Sequence, residues 1–166
     1  MRISGIIRES IVDGPGIRFV IFSQGCPHNC IGCHNPSTHS FDDGFYVEKQ
    51  KLLDEIDKNP LLKGVTFSGG EPFCQAKEFS ELAKLIKARN LDIVTYTGYT
   101  FEDIKQISNK NESWENLLKL KDILVDGPFI ESKKDLTLKF RGSSNQRVLD
   151  IEKSLESDCA INYSLD

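Results

Sequence analysis

Three of the chain's five cysteines lie within eight positions, and this cluster restricts the possible folds more than any other feature of the sequence. Residues 25–33 read GCPHNCIGC, so Cys26, Cys30 and Cys33 follow the pattern C-x3-C-x2-C. The cluster comes directly after residues 17–23, which are apolar apart from Arg18 and typical of a buried parallel strand. Because α/β folds place their chemistry at the carboxyl ends of parallel strands, the spacing predicts a loop on which three thiols converge on one site.

The number of cysteines indicates metal binding rather than disulfide bonding. The remaining two are Cys74 and Cys159, so the total is odd and the cysteines cannot all pair within one chain. Clustered thiols in a reducing compartment are more typical of a metal site. Three thiolates fit a 4Fe-4S cluster with one open iron, since an electron-transfer cluster takes four cysteines. A zinc site formed by the three cysteines with His28 or His34 is the alternative that the spacing leaves open.

Strand and helix patterns alternate along the chain, without repeats or linkers. The strand patterns cover residues 17–23, 64–68, 92–97 and 122–126, with weaker candidates at 137–140 and 146–150. The helical patterns cover residues 46–58, 75–89, 101–107 and 113–120, and the second has Phe79, Leu82, Leu85 and Ile86 on its inner face. This alternation predicts a mostly parallel sheet with right-handed crossovers. A closed eight-unit barrel needs about 250 residues, so 166 residues predict one α/β domain, residues 1–166, with an open sheet or a partial barrel.

Composition and charge exclude several classes of protein. With 21 Lys and Arg against 25 Asp and Glu, the net charge is −4, which argues against a protein built mainly to bind nucleic acid. No apolar run approaches the roughly 20 residues that a transmembrane helix needs. The first residues lack the apolar stretch of a secretion signal. We therefore expect a cytoplasmic protein with no membrane or nucleic-acid partner.

A second motif ends the strand at residues 64–68. Residues 66–72 read TFSGGEP, in which two glycines allow a ligand to lie against the backbone and Glu71 offers an acceptor for an ammonium group. A tight strand-to-helix turn would explain this motif equally well when it is taken alone. Its position one βα unit after the cysteine loop is what makes it informative.

Together, the two motifs resemble the radical S-adenosylmethionine (SAM) superfamily. Residues 13–18, DGPGIR, are similar to its subgroup of glycyl-radical activating enzymes. Further stretches resemble the activators of anaerobic (class III) ribonucleoside-triphosphate reductases: TYTGY at 95–99, LVDGPF at 124–129 and FRGSSNQRV at 140–148. The resemblance covers residues 5–150, almost the whole chain.

The resemblance implies a set of cofactor ligands. Cys26, Cys30 and Cys33 would hold a 4Fe-4S cluster whose open iron chelates the amino and carboxylate groups of SAM. The implied SAM contacts are Gly32, Cys33, His34, Ser68, Gly69, Gly70, Glu71 and Asp126. Most members of the superfamily have an aromatic residue where this chain has Gly32, so the adenine contact is expected from the backbone of residues 32–34. For Asp126, a turn-forming role before a glycine is an equal alternative.

The implied activity is reductive cleavage of SAM to methionine and a 5′-deoxyadenosyl radical, which removes a Cα hydrogen from a glycine of the reductase large subunit. The implied electron donor is a low-potential protein such as flavodoxin or ferredoxin. No side chain is assigned a catalytic role, since the cofactors carry the chemistry. Two alternatives stay open: a radical SAM enzyme acting on a small molecule, as the deazaguanine synthases do, and a non-catalytic zinc or iron–sulfur module.

Five further residues invite simpler interpretations. We expect Cys74 to be a small buried residue and assign no role to Cys159. Arg141 and Arg147 are interpreted as solvated charges rather than as ligands of a carboxylate. Trp114 is expected to pack in the core.

Overall fold

The computed structural model describes residues 1–165. The strands of this range are β1 (Arg2–Ser10), β2 (Arg18–Ser23), β3 (Phe45–Tyr46), β4 (Gly64–Ser68), β5 (Asp92–Tyr96), β6 (Ile123–Asp126) and β7 (Arg147–Asp150). The α-helices are α1 (Lys49–Asp57), α2 (Ala76–Lys87), α3 (Phe101–Ser108), α4 (Glu112–Lys119) and α5 (Ile151–Glu156). Short 3-10 helices occur at Pro36–Thr38, Pro72–Gln75 and Glu131–Lys133.

The strands form one seven-stranded sheet in the order β3-β1-β2-β4-β5-β6-β7. Its centre is parallel: β2 pairs with β4, β4 with β5 and β5 with β6. The outer strands β1, β3 and β7 run antiparallel to their neighbours. The expectation of an α/β fold with an open sheet is therefore confirmed, and the antiparallel margins are an addition to it.

The two faces of the sheet are covered differently. Buried residues of the five α-helices join one hydrophobic cluster with alternate strand residues, including Phe19, Ile21, Phe67 and Ile93. Neighbouring strand residues point to the opposite face because side chains alternate along a strand. There, a smaller cluster contains Val94, Ile123, Val125 and Val148. The helices thus lie on one face, and the other face is free to border a cavity.

Arg18 explains how a charged residue fits a buried strand. The side chain is fully buried at the start of β2, where its Nε donates to Thr66 Oγ1 at 2.7 Å. Its Nη1 donates to the carbonyl of Pro15 at 3.0 Å, and its Nη2 donates to the carbonyl of Val65 at 2.9 Å. These bonds satisfy the guanidinium and fix the loop between β1 and β2, which borders the cavity described below.

Two local predictions are wrong. Residues 137–140 form turns rather than a strand, because Asp135 Oδ1 accepts bonds from the backbone N–H and the hydroxyl of Thr137, and Phe140 has a positive φ of 60°. Leu85 is 42% exposed: the buried stripe of α2 runs through Phe79, Leu82 and Ile86, and Leu85 lies at its flank.

Candidate functional site

A cavity of about 490 Å³ lies at the carboxyl ends of the parallel strands. Cys26, Cys30 and Cys33 all line it, as do Gly69 and Gly70 of the second motif. This volume is within the range of small-molecule and cofactor sites. The structure therefore brings the two predicted motifs to one place.

The cysteine loop is tied back to its own far end. The backbone N–H groups of Gly25 and Cys26 donate to the carbonyls of Thr38 and His39, at 2.8 and 3.0 Å. Gln24 adds two side-chain bonds to carbonyls further along the loop. These bonds close residues 24–40 into a compact loop that presents its thiols to the cavity.

The three thiols differ in burial. Cys26 is buried, whereas Cys30 and Cys33 are half-buried. Burial raises the pKa of the Cys26 thiol to about 11, and the negative charge of Glu71 acts in the same direction. A cysteine binds a metal as a thiolate. The environment of Cys26 therefore favours the thiolate only when a positively charged group, such as a metal ion, neutralises the sulfur.

The glycine turn packs against the start of the cysteine loop. Gly70 N donates to Thr38 Oγ1 at 2.8 Å, and Glu71 N donates to the carbonyl of Gly25 at 2.8 Å. A Cβ on Gly70 would lie 2.6 Å from the carbonyl oxygens of Ser23 and Gly25. Gly70 therefore allows the glycine turn to lie close to the start of the cysteine loop. The same absence of a side chain leaves room for a ligand in the cavity.

Glu71 is placed differently from its expected role. The residue is fully buried and is not among those that line the cavity. Its carboxylate accepts bonds from the backbone N–H groups of Phe73 and Gly98 and from the hydroxyl of Thr97. Its Oε2 also lies 2.7 Å from His28 Nε2. The carboxylate is thus surrounded by donors of the protein itself.

Asp126 also has protein partners. It is buried at the end of β6 and lies outside the cavity lining. Its Oδ2 accepts from the Phe101 N–H at 2.7 Å, and its Oδ1 accepts from Arg147 Nε at 3.0 Å. Arg147 bonds Glu102 as well, and these two carboxylates raise the pKa of Arg147. Arg147 is therefore not a solvated charge, contrary to expectation.

The other expected contact residues are divided between the cavity and its surroundings. Ser68 and His34 line the cavity, and the His34 ring lies 5.0 Å from that of Phe129. Gly32 is exposed and lies outside the lining. Arg141 lines the cavity, and its Nε is buried without a hydrogen-bond partner among the described residues.

Sequence reasoning missed Gln146, which shapes one wall of the cavity. Its Oε1 accepts from the N–H groups of Gly142 and Ser143 at 3.0 and 3.1 Å, and its Nε2 donates to the carbonyl of Gly127 at 3.1 Å. These bonds hold the cavity-lining segment that contains Phe140 and Arg141. The RGSSNQR stretch was a visible signal, but only the fold shows which groups its amide joins.

Two predictions about single residues have clear outcomes. Cys74 is exposed, so the expectation of a buried residue is wrong. Trp114 packs against the core, with its ring 4.9 Å from Phe73 and 5.0 Å from Tyr99, as expected. Cys159 is exposed in the C-terminal segment.

The described side chains around the cavity do not form a site for a single metal ion. Within residues 1–165, no group of three or more His, Cys, Asp and Glu side chains is arranged to hold a metal ion. The three thiols instead surround one cavity, where the backbone N–H of Asn35 donates to Cys33 Sγ at 3.4 Å and the backbone N–H of His28 donates to Cys26 Sγ. A set of otherwise free thiols around a shared space suits a polynuclear cluster, whose ligands bind separate irons.

Comparison with known proteins identifies the family. A family model described as a 4Fe-4S single cluster domain matches residues 12–149. A protein of Enterobacteria phage T4, named anaerobic ribonucleoside-triphosphate reductase-activating protein, is 39% identical over 145 residues, which cover 82% of this chain and 86% of that protein. The chain belongs to the family of these reductase-activating proteins. The family expected from the sequence motifs is thereby confirmed.

Two further comparisons complete the description. Proteins of the same name from Vibrio cholerae serotype O1 and Escherichia coli K12 are each 35% identical, over 82% and 83% of this chain and 89% and 91% of their own lengths. Among solved structures, the crystal structure of QueE from Escherichia coli matches with a TM-score of 0.44 and 20% identity, over 60% of this chain and 52% of that chain. That similarity is below the level that establishes a common fold.

No helix within residues 1–165 is long and apolar enough to cross a membrane.

Proposed function

We propose that this protein is a cytoplasmic radical SAM activase that generates a glycyl radical on the anaerobic ribonucleoside-triphosphate reductase. The observation that carries the proposal is the convergence of Cys26, Cys30 and Cys33 with Gly69 and Gly70 on one cavity. The names of relatives at 31–39% identity support the reductase as the partner. The family model supports an iron–sulfur cofactor.

The residues of the cavity suit two cofactors. Cys26, Cys30 and Cys33 would hold a 4Fe-4S cluster with one open iron, and Ser68, Gly69, Gly70 and the backbone of Cys33 and His34 would contact SAM. When bound, these cofactors supply reductive cleavage of SAM to methionine and a 5′-deoxyadenosyl radical, which takes a Cα hydrogen from a glycine of the reductase. The protein supplies the binding surface and the orientation of the two cofactors. The electron would come from a low-potential donor such as flavodoxin or ferredoxin.

The test is anaerobic activation of the reductase with its glycine Cα deuterated. We expect a glycyl radical signal by electron paramagnetic resonance, together with deuterium in the 5′-deoxyadenosine formed. The Cys30→Ala variant should give neither product, and Cys159→Ala should match the unchanged chain, because Cys159 lies outside the cavity lining. SAM cleavage without deuterium transfer, accompanied by turnover of a small molecule in the absence of reductase, would contradict the proposal.

A further inference from the structure

His28 joins the cysteine loop to the sheet. It lies between Cys26 and Cys30, and its Nε2 is 2.7 Å from Glu71 Oε2. Its ring meets Tyr99 edge to face, with centroids 4.5 Å apart, and its side chain is only 16% exposed. Of the three residues between these two cysteines, His28 supplies a side-chain bond to the sheet.

The partner of His28 is a fixed group. The Glu71 carboxylate is bonded at 3.0 Å to Phe73 N, at 2.9 Å to Gly98 N, and at 2.9 and 3.0 Å to the hydroxyl of Thr97. These donors belong to the turns that follow β4 and β5. Because two turns hold the carboxylate, it offers the imidazole a rigid acceptor at the carboxyl edge of the sheet.

The backbone at Gly98 is shaped for the imidazole ring. A Cβ built on Gly98 would lie 2.4 Å from His28 Cδ2 and 2.6 Å from Nε2. The ring therefore occupies the space that any other residue at position 98 would fill. Each of the last three residues of the TYTGY stretch therefore has a part in this contact. Thr97 donates to the Glu71 carboxylate, Gly98 leaves space for the imidazole ring, and Tyr99 packs against that ring.

We infer that His28, Glu71, Thr97 and Gly98 form a clip, the His28 clip, in which His28 is a positioning residue for the cluster ligands. Fastening the middle of the loop to the sheet fixes Cys26 and Cys30, the residues two positions to either side. Glu71 then serves as the anchor of the clip rather than as the acceptor of an ammonium group. The inference rests on the proposed function only in that these cysteines hold a cluster.

The test measures iron release from anaerobically reconstituted protein to an Fe²⁺ chelator, without SAM or reductase. We expect His28→Leu to release iron about tenfold faster, since it loses a hydrogen bond to a carboxylate. His28→Gln, whose amide can reach Glu71, should stay within about threefold of the unchanged chain. The double variant His28→Leu with Glu71→Gln should release iron no faster than the faster of the two single variants, because both substitutions remove the same contact between His28 and Glu71.

Controls separate the clip from general stability. Asp57→Asn removes a carboxylate that bonds Arg89 on the surface, and it should not change iron release. Gly98→Ala keeps both bonding side chains but crowds the ring, so it should resemble His28→Leu. Melting temperatures of the variants should stay near that of the unchanged chain, which shows that faster release is not global unfolding.

Several results would overturn the inference. Iron release at the unchanged rate in His28→Leu or in Gly98→Ala would show that the clip does not position the ligands. Full iron with lost SAM affinity in Glu71→Gln alone, measured by calorimetry, would make Glu71 the ammonium acceptor instead. Failure of the unchanged chain to bind iron would reject both the clip and the proposed cluster, whereas normal iron without SAM cleavage would reject the proposed function alone.

Discussion

At the scale of single residues, the three thiols of the site differ in how deeply they are buried, and therefore in the free energy needed to deprotonate them. Cys26 is buried and its pKa is raised to about 11, so without a metal its sulfur is protonated at neutral pH. If Cys26 binds iron, as proposed, that proton has to be displaced, and the energy of the metal–sulfur bond would offset the cost of burying a thiolate. A buried thiol in this position is thus suited to holding a bound cluster. It is poorly suited to exchange with dissolved thiols or disulfides, which requires an exposed thiolate.

The first prediction concerns which sulfurs bind iron. Cys26→Ala, Cys30→Ala and Cys33→Ala should each lose most of the iron and sulfide after anaerobic reconstitution, because a cluster with two protein ligands has a second open iron. Cys74→Ala and Cys159→Ala should keep the full amount, since neither residue lines the cavity. Iron and sulfide per chain are the measurement. Normal iron in Cys30→Ala, or its loss in Cys159→Ala, would disprove the assignment.

At the scale of elements, continuous apolar runs were predictable, whereas the antiparallel strands β1 and β3 at one margin of the sheet were not. The strand pattern at residues 64–68 coincides with β4, because a strand buried on both faces is apolar throughout. β1 was missed because its side chains vary irregularly from buried to exposed. β7 coincides with the weaker strand candidate at residues 146–150. The candidate at 137–140 was wrong because Asp135 bonds to Thr137, and such local contacts compete with strand pairing in ways that composition does not show.

The site shows the same division. The cysteine and glycine motifs were recognisable because each is contiguous in the sequence. The contact between His28 and Glu71 spans 43 positions, and that between Gln146 and Gly127 spans 19. Their geometry depends on how β4, β5 and β6 pair, so the sequence alone did not show these contacts.

The junction of α4 and β6 carries a prediction about pH. Lys121 is buried between them, its Nζ has no hydrogen-bond partner among the described residues, and it lies 4.0 Å from the centroid of the Phe73 ring. Burial lowers the pKa of Lys121 well below its ordinary value. Between that lowered pKa and about 10.4, the unfolded chain binds more protons than the folded chain, so the free energy of unfolding rises with pH.

Lys121→Met should therefore be more stable than the unchanged chain at pH 7, by about 1–3 kcal/mol, because it removes an unpartnered buried polar group. The difference should shrink towards pH 10, where the unfolded lysine also begins to lose its proton. Anaerobic denaturation of both proteins at several pH values is the measurement. A less stable methionine variant at pH 7 would show that Lys121 stabilises the folded chain, and a difference independent of pH would show that its pKa is not lowered by folding.

At the scale of the whole molecule, the helices and the cavity lie on different sides of the sheet. The sheet ends at β3 on one edge and at β7 on the other, and these strands do not pair with each other. Val12 and Leu136 line the cavity yet are 71% and 84% exposed. The cavity is therefore bordered by apolar side chains in contact with water, whereas the radical of the proposed function would have to be shielded from solvent.

The last prediction follows from this exposure. If the reductase supplies the missing wall, SAM cleavage by the reduced protein alone should be slow and should yield deoxyadenosine without any stable radical. With excess reductase, cleavage should accelerate, and deoxyadenosine should form at about one molecule per glycyl radical, because each cleavage is then used for one hydrogen abstraction. Deoxyadenosine by chromatography, plotted against spin count, gives this ratio directly. A matched series with a reductase whose radical glycine is replaced by alanine should retain part of the acceleration, since docking still covers the cavity, but should show no spin. Rapid cleavage without reductase, or many deoxyadenosines per radical in its presence, would mean that the cavity shields its chemistry without a partner.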